Sequence, residues 1–233
     1  MVRLWSILVL VSALAFAASP WLVDGFNGFA PEQFPVPQNE PPVQPAGYAF
    51  AIWGLIYVWL IAAAVFGVMK RSDDPDWADM RPPLFVSLTL GATWLPVAVL
   101  SPIWATVLIW IMLAAALLSL FRVGDTDRWL QQAPVAIYAG WLTAASAVSL
   151  GLLLGGYGWM PETPAALFSL SIGLIIALVV QYRLHRMPSY GITVIWALVA
   201  VIVANYQPFN VAVSGLAALG IIAILALRGT DTE

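Results

Sequence analysis

Aromatic side chains one helical turn apart are the residues of this chain whose types and spacing could form a binding site. Trp53 and Tyr57 are four residues apart and Tyr138 and Trp141 are three apart, so each pair would share one helix face. Trp94 lies deep in another apolar stretch. Several aromatic faces along one groove suit a flat, apolar ligand, because ring stacking orients it. Core packing or lipid contact is the plainer explanation for any single deep tryptophan.

The residues that conventional acid–base or metal chemistry requires are missing from the apolar segments. No Asp, Glu, Lys, Arg or His falls in the middle of any segment, and the chain has no cysteine. Its single histidine, His185, stands in a connecting loop between Arg183 and Arg186. These facts exclude a haem held by a buried histidine, a Ser–His–acid arrangement in the bilayer and a cysteine nucleophile. We therefore expect no catalytic residue, no metal site and no cofactor.

One loop, residues 70–82, is the most polar stretch of the chain and contains four aspartates that could bind a cation. Its four aspartates are Asp73, Asp74, Asp76 and Asp79. Carboxylate oxygens suit Ca²⁺ or Mg²⁺, but the spacing is not that of an EF-hand and Pro75 interrupts the run. Three basic residues flank the aspartates. The pattern predicts a solvated loop.

Composition identifies the class of protein. Hydrophobic residues make up 62% of the 233 positions and charged residues only 9%, whereas an ordinary soluble domain has about 25% charged residues. Such a chain requires a lipid bilayer around it, so we predict a multi-spanning membrane protein. The net charge of −3 is scattered among loops, which indicates no nucleic-acid partner.

Eight apolar segments have lengths suited to membrane-spanning helices. They cover residues 4–22, 47–69, 83–101, 103–121, 132–155, 164–183, 190–206 and 210–228. The first follows Arg3 and contains a small-residue pattern at 15–17, so a cleaved signal peptide is an alternative there. The last two are short and could form a re-entrant pair around Pro208. We predict an all-α helical bundle that forms a single membrane domain over residues 1–233.

The basic residues support the count of eight spans. With eight spans, all nine lie on one side of the membrane: Arg3, Lys70, Arg71, Arg81, Arg122, Arg128, Arg183, Arg186 and Arg228. By the positive-inside rule, that side is cytoplasmic. We therefore expect both termini in the cytoplasm, the plasma membrane as the location, and the loop 23–46 outside.

The outward loop is rich in proline. Six prolines fall between residues 31 and 45, and each fixes its own φ and pushes its predecessor toward extended backbone. This predicts an extended lid with no helix longer than one turn. Phe26, Phe29 and Phe34 would form its apolar underside.

Small residues four apart in the fifth segment predict close helix packing. The pairs are Gly140 with Ala144 and Ala147 with Gly151. The eighth segment repeats the pattern with Ser214 and Ala218, which could pack internally or against a second copy in a homodimer.

Three of these stretches resemble the TspO/MBR family, the tryptophan-rich sensory proteins related to the peripheral benzodiazepine receptor. They are PAGYAFAIWGLIY, LGATWLPVAV and PVAIYAGWLTAASAV. The residues that match the family's second, third and fifth helices are Trp53, Tyr57, Trp94, Pro96, Pro134, Trp141, Thr143, Ala144 and Ala145. The chain lacks the family's Trp–Asn–Pro–Pro run and has Gly91 where the family usually has Asn.

The resemblance covers about residues 4–156, so it implies a five-helix core, with residues 164–228 as three additional helices. It implies a pocket between helices one, two, three and five, beneath the outward loop, for a porphyrin or a sterol-like molecule. The ligand-binding residues would be Trp53, Tyr57, Trp94, Tyr138 and Trp141. The protein would act as a sensor or carrier.

Two other functions stay open. A permease for a neutral solute could use the three additional helices, although the sequence shows no clear internal repeat. A membrane enzyme could modify the bound ligand, with tryptophan as a redox participant. A cholesterol-type pattern, Val180…Tyr182…Arg186, also occurs outside the stretch that resembles the family.

Overall fold

The structure is a computed structural model that describes residues 2–23, 28–185 and 187–229. Within these residues the chain forms eight long helices and one short helix, and no β-strand. The helices are α1 Val2–Ala18, α2 Ile52–Lys70, α3 Pro75–Ala78, α4 Arg81–Leu100, α5 Pro102–Phe121, α6 Ala133–Gly156, α7 Glu162–Arg183, α8 Pro188–Ala204 and α9 Val211–Gly229. The predicted all-α membrane bundle is confirmed.

Six helical segments of the described chain are long and apolar enough to cross a membrane. They are Val2–Leu22, Gly47–Lys70, Pro75–Leu100, Pro102–Phe121, Arg128–Gly156 and Glu162–Arg183. Pro188–Ala204 and Val211–Leu227 are apolar but shorter. At about 1.5 Å per residue, the 17 residues of α8 reach slightly less than the roughly 30 Å of a hydrocarbon core.

The chain forms two compact units. The first contains Met1–Phe26 and Ala51–Ala139, and the second contains Asn27–Phe50 and Gly140–Glu233. The division therefore runs through α6, whereas the resemblance groups the whole of that helix with the five-helix core.

In the first unit, α4 packs against both α1 and α5, and α1 packs against α2. Ser101 separates α4 from α5 and caps the second helix, because its hydroxyl accepts a hydrogen bond from the amide of Trp104 at 3.4 Å. The two helices approach closely where Ala98 and Ala105 are fully buried. This packing places α4 beside the end of α1, where the candidate site lies.

In the second unit, glycines permit the close approach of α6, α7 and α8. A Cβ added at Gly140 would lie 2.7 Å from the carbonyl oxygen of Tyr190 on α8. A Cβ added at Gly173 on α7 would lie 2.8 Å from that of Ala147 on α6. The helix packing predicted from small residues in the fifth segment is therefore confirmed.

The outward loop lies along the helices of the second unit. Its described part contains one turn of 3₁₀ helix between residues 31 and 45, at Pro31–Gln33, so the prediction that this segment has no helix longer than one turn is confirmed. The Val36 amide donates to the Gly156 carbonyl at 2.8 Å, and the side-chain amide of Asn205 donates to the Pro42 carbonyl at 2.8 Å.

The predicted apolar underside of the loop is present at Phe34. This buried ring has edge contacts with Phe29 at 5.8 Å and with Tyr157 at 6.5 Å between ring centroids. Val43 is also buried, beside Gly151. Phe26 lies outside the described residues.

The loop between α2 and α4 is a folded junction: the prediction of a solvated loop holds for the exposed Asp73 and Asp79 and is wrong for Trp77, which is buried. We call Arg71, Asp76, Trp77, Thr126 and Asp127 the polar junction. Asp127 accepts hydrogen bonds from Arg71 Nε at 2.8 Å and from the buried indole of Trp77 at 2.9 Å. Asp76 accepts one from the Thr126 hydroxyl at 2.5 Å. These bonds join two loops that are about 50 residues apart in sequence.

The aspartates of this loop do not converge on a cation site. Among the described residues, no group of three or more His, Cys, Asp and Glu side chains is placed to hold a metal ion. Asp74 instead caps the short helix α3 by accepting a hydrogen bond from the Asp76 amide at 3.0 Å. Arg81, fully buried, donates to the carbonyls of Arg71 at 2.6 Å and Ser72 at 2.9 Å. Pairing with backbone carbonyls satisfies the donors of this buried guanidinium.

Candidate ligand-binding site

Three of the predicted ligand-binding residues meet around a fourth ring, Phe16, in the first unit. The Phe16 ring is edge-on to Trp53 at 5.6 Å, to Tyr57 at 5.1 Å and to Tyr138 at 5.8 Å. Trp53 and Tyr57 stack on each other at 5.5 Å with an interplanar angle of 18°. We call these four residues the Phe16 cluster.

The ends of three helices position the Phe16 cluster. Phe16 lies in the last turn of α1, Trp53 and Tyr57 occupy the first two turns of α2, and Tyr138 lies in the second turn of α6. The spacing of four residues in α2 produces the stack of Trp53 on Tyr57, as the sequence predicted. Tyr138 and Phe16 are buried, with exposures of 0% and 3%, whereas Trp53 and Tyr57 are half-buried.

A glycine of α4 makes room for the central ring. A Cβ added at Gly91 would lie 2.8 Å from the Phe16 ring, closer than such atoms approach in proteins. A larger side chain at this position would occupy the space of the Phe16 ring.

The hydroxyl groups of the Phe16 cluster are bonded within the unit. Ser87 donates its only proton to the Met112 carbonyl at 2.8 Å, so the Tyr138 hydroxyl must donate to Ser87 Oγ, also at 2.8 Å. The Tyr57 hydroxyl hydrogen-bonds to Ser19. Because these hydroxyls are already bonded, the cluster presents apolar ring faces rather than free hydrogen-bonding groups.

The comparisons with known proteins identify the family. Residues 6–228 match the family described as TSPO-like protein. The chain belongs to this family. The comparisons with curated proteins and with solved structures found no match.

The TSPO-like match is longer than the stretch on which the resemblance rested. It begins in α1 and ends in α9, so it includes the three helices that follow residue 156. The apolar helices and the family together make this TSPO-like chain a multi-pass membrane protein.

Trp94, another predicted ligand-binding residue, ties two helices together. Its indole nitrogen donates to the Ala105 carbonyl of α5 at 2.8 Å. Trp94 lies on α4 three residues after Gly91, so it is on the helix that faces Phe16, with its polar edge directed to the neighbouring helix. This bond gives the residue a structural role in the TSPO-like bundle.

Trp141, the fifth predicted residue, belongs to the second unit. Its ring is 2% exposed and lies edge-on to Phe50 at 5.9 Å. Two residues later, Thr143 shares a hydrogen bond of 2.9 Å with the Tyr190 hydroxyl on α8. A role for Trp141 in ligand binding stays a prediction.

Two residues of the candidate site, Phe16 and Ser87, were missing from the sequence-based set. Phe16 is one of only two aromatic residues in α1, together with Trp5, and the sequence placed it within a possible cleavage pattern. Ser87 is a buried hydroxyl in an apolar helix, a position that requires a hydrogen-bond partner. The sequence could therefore indicate that the Ser87 hydroxyl has a hydrogen-bond partner, but it could not identify that partner as Tyr138.

Proposed function

We propose that this TSPO-like membrane protein binds a flat lipophilic molecule, a porphyrin-type tetrapyrrole or a sterol-like compound, at the Phe16 cluster, as a sensor or carrier. The observation that carries the proposal is the stacked pair Trp53 and Tyr57. Its two rings are half-buried and aligned, and the Tyr57 hydroxyl is already hydrogen-bonded to Ser19. Aligned aromatic faces orient a flat ring system by stacking.

In this proposal the Phe16 side chain occupies the space in which the ligand would bind. Its ring fills the space bordered by Trp53, Tyr57, Tyr138 and Gly91, which is where an incoming ring system would make its contacts. A ligand would therefore displace the Phe16 side chain and replace its edge contacts. Each aromatic pair contributes about 0.5–1.5 kcal/mol, so a ligand with a larger ring area can compensate for their loss.

The absence of charged side chains from the Phe16 cluster supports a lipophilic ligand rather than a charged solute. The cluster contains hydroxyl groups and no charged side chain, and both tyrosine hydroxyls are bonded within the unit. A carboxylate or ammonium group moved into such surroundings would lose its hydration without gaining a partner. The propionate groups of a porphyrin would therefore stay at the membrane surface, with the ring system inside.

Binding of protoporphyrin to the purified protein in detergent tests the proposal. We expect Trp53→Ala to weaken binding by about 1–3 kcal/mol, or roughly 5- to 150-fold, because it removes half of the stacked pair. Quenching of tryptophan fluorescence provides the measurement. Trp104→Ala is the matched control, since it also removes one indole but from an exposed position at the start of α5. Equal affinities for both variants and the parent protein would remove the site from this cluster.

A second measurement separates a sensor from a carrier. Protein reconstituted in vesicles would be given porphyrin on the outside, and a porphyrin-binding protein trapped in the lumen would report arrival. A carrier accelerates arrival in proportion to the amount of protein. A sensor binds the porphyrin with the same affinity as in detergent and leaves the arrival rate unchanged.

A further inference from the structure

An apolar groove lies between α7 and α9, far along the chain from the Phe16 cluster. It is lined by Leu178, Val179, Tyr182, Arg183, Ala223, Ala226 and Leu227, and its volume is about 720 Å³. This volume lies within the roughly 300–1,000 Å³ of small-molecule pockets. The lining residues come from the C-terminal ends of both helices, so the groove lies at one end of the second unit.

The polar end of the groove is positively charged. Arg183 lies in the last turn of α7, is exposed, and forms no ion pair with any residue that the structure describes. The exposed rings of Tyr182 and His185 contact each other beside it at 5.5 Å. The Arg183 side chain at the end of an apolar groove is complementary to a phospholipid, which has a phosphate headgroup and apolar acyl chains.

The helices that form the groove and the connection between them contain no acidic residue after Glu162; the next acidic residues in the sequence are Asp231 and Glu233, after α9. Between residues 163 and 230 there is no Asp or Glu, whereas Arg183, Arg186 and Arg228 all occur there. Arg183 and Arg228 occupy the last turns of α7 and α9, the two helices that form the groove. Basic residues at the cytoplasmic ends of membrane helices attract anionic lipid headgroups.

We propose that the groove between α7 and α9 binds an anionic phospholipid, with one acyl chain along Val179 and Ala226 and its phosphate beside Arg183. Charge selects this occupant. A neutral sterol or a zwitterionic lipid carries no net negative charge, so neither would compensate the positive charge of Arg183. A second copy of the chain would bring the same basic residues to the interface and would repel the first. This proposal does not depend on the proposed function, because the groove and the Phe16 cluster share no residue.

Lipid binding to the purified full-length protein in detergent, measured by native mass spectrometry, tests the headgroup. We expect retention of palmitoyl-oleoyl phosphatidylglycerol over phosphatidylcholine with the same chains. Arg183→Gln should reduce phosphatidylglycerol binding about fivefold, the factor that corresponds to about 1 kcal/mol for one arginine near the membrane surface. Arg122→Gln is the matched control, because it removes an equally exposed arginine at the end of α5.

A second pair of variants tests the acyl-chain part of the groove. Ala226→Phe should fill the groove and lower phosphatidylglycerol binding, whereas Ala212→Phe, at an exposed position near the start of α9, should not. Glycerol phosphate should not compete, because it lacks the chains.

Four outcomes would overturn the proposal. They are equal retention of the two lipids, equal effects of the two arginine variants, an unchanged affinity in Ala226→Phe, or competition by glycerol phosphate alone. Stronger retention of cholesterol than of phosphatidylglycerol would assign the groove to a sterol. A change in oligomeric state on Ala226→Phe without a change in lipid binding would assign it to a second copy.

Discussion

At the scale of single residues, the position of Phe16 depends on a side chain that is absent. Gly91 has no Cβ, and the Phe16 ring occupies the space next to it. Three further rings then contact Phe16 from its other sides. The cluster is therefore a packed core around one phenyl group, and two substitutions can separate its structural role from its role in binding.

Removing the central ring should raise affinity while lowering stability. Phe16→Ala deletes the side chain that competes with the ligand, so protoporphyrin should bind more tightly than to the parent protein. The same change leaves a cavity and should cost about 3–5 kcal/mol of unfolding free energy. Fluorescence titration and thermal unfolding measure the two effects. Phe85→Ala, which removes a ring that contacts Trp5, should lower stability without raising affinity. Weaker binding to Phe16→Ala would assign Phe16 itself to the ligand contact.

Adding one methyl group at the glycine should displace the ring. Gly91→Ala places a carbon 2.8 Å from Phe16, and such overpacking typically costs about 1–3 kcal/mol. Because the cost arises from one contact, Gly91→Ala should destabilise the Phe16→Ala protein much less than the parent. A double-mutant cycle of unfolding free energies measures this coupling. Additive effects would show that the two side chains do not compete for space.

At the scale of elements, the polar junction holds the loop after α2 against the loop before α6. Asp127 is its centre, since it accepts hydrogen bonds from both Arg71 and Trp77. The hydrogen bond from Arg71 is the main cause that lowers the pKa of the Asp127 carboxyl, and the bond from Trp77 acts in the same direction. A carboxyl group with a lowered pKa stabilises the folded protein only in its ionised form.

The junction should make stability depend on pH in the acidic range. The contribution of Asp127 is fully present above the ordinary aspartate pKa of about 3.9, and it is lost as the pH falls through the lowered pKa of the folded protein. Asp127→Asn should therefore lower the Tm near neutral pH and flatten its decline below about pH 5. Asp79→Asn, which changes an exposed aspartate in the loop after α2, is the control. Parallel pH profiles for the parent protein and Asp127→Asn would contradict the assigned role.

The outward loop should loosen when its long-range anchor is removed. Asn205 donates to the Pro42 carbonyl, and Asn205→Ala deletes that bond. Faster proteolytic cleavage between residues 31 and 45 is the expected result, measured with the protein in detergent. Asn210→Ala removes an asparagine that bonds to Thr163 rather than to the loop, so its cleavage rate should match the parent. Equal cleavage rates for Asn205→Ala and Asn210→Ala would mean that the other contacts of the loop hold it in place without the Asn205 bond.

At the scale of the whole molecule, the distribution of basic residues predicts the topology. With eight spans, all nine lie on one side, which the positive-inside rule makes cytoplasmic. Reporter fusions at Arg122 and Arg228 should both report the cytoplasm, and a fusion at Glu162 should report the opposite side. Opposite results at Arg122 and Arg228 would show that α8 and α9 do not both cross the membrane. These two helices are the shortest candidates, so the test is most informative for them.

Much of this fold follows from local sequence, and the details of the site do not. Apolar runs determine where helices begin and end, prolines prevent a helix in the outward loop, and spacing aligns Trp53 with Tyr57. Phe16 could not be placed in the same way, because its neighbours lie on three other helices. The polar junction could not be predicted from the sequence for a related reason. Asp127 and Trp77 are 50 residues apart, and the local sequence around each one is that of a solvated loop.

The attachment of the outward loop also has a consequence for the order of biosynthesis. Pro42 bonds to Asn205, 163 positions later in the chain, and the Ala46 amide bonds to the Ala200 carbonyl. A ribosome that adds about 5–20 residues per second needs on the order of ten to thirty seconds to produce that interval. The loop is therefore made long before the helices to which it bonds. A nascent chain halted after residue 156 should leave the loop open to protease, and completion of the chain should protect it.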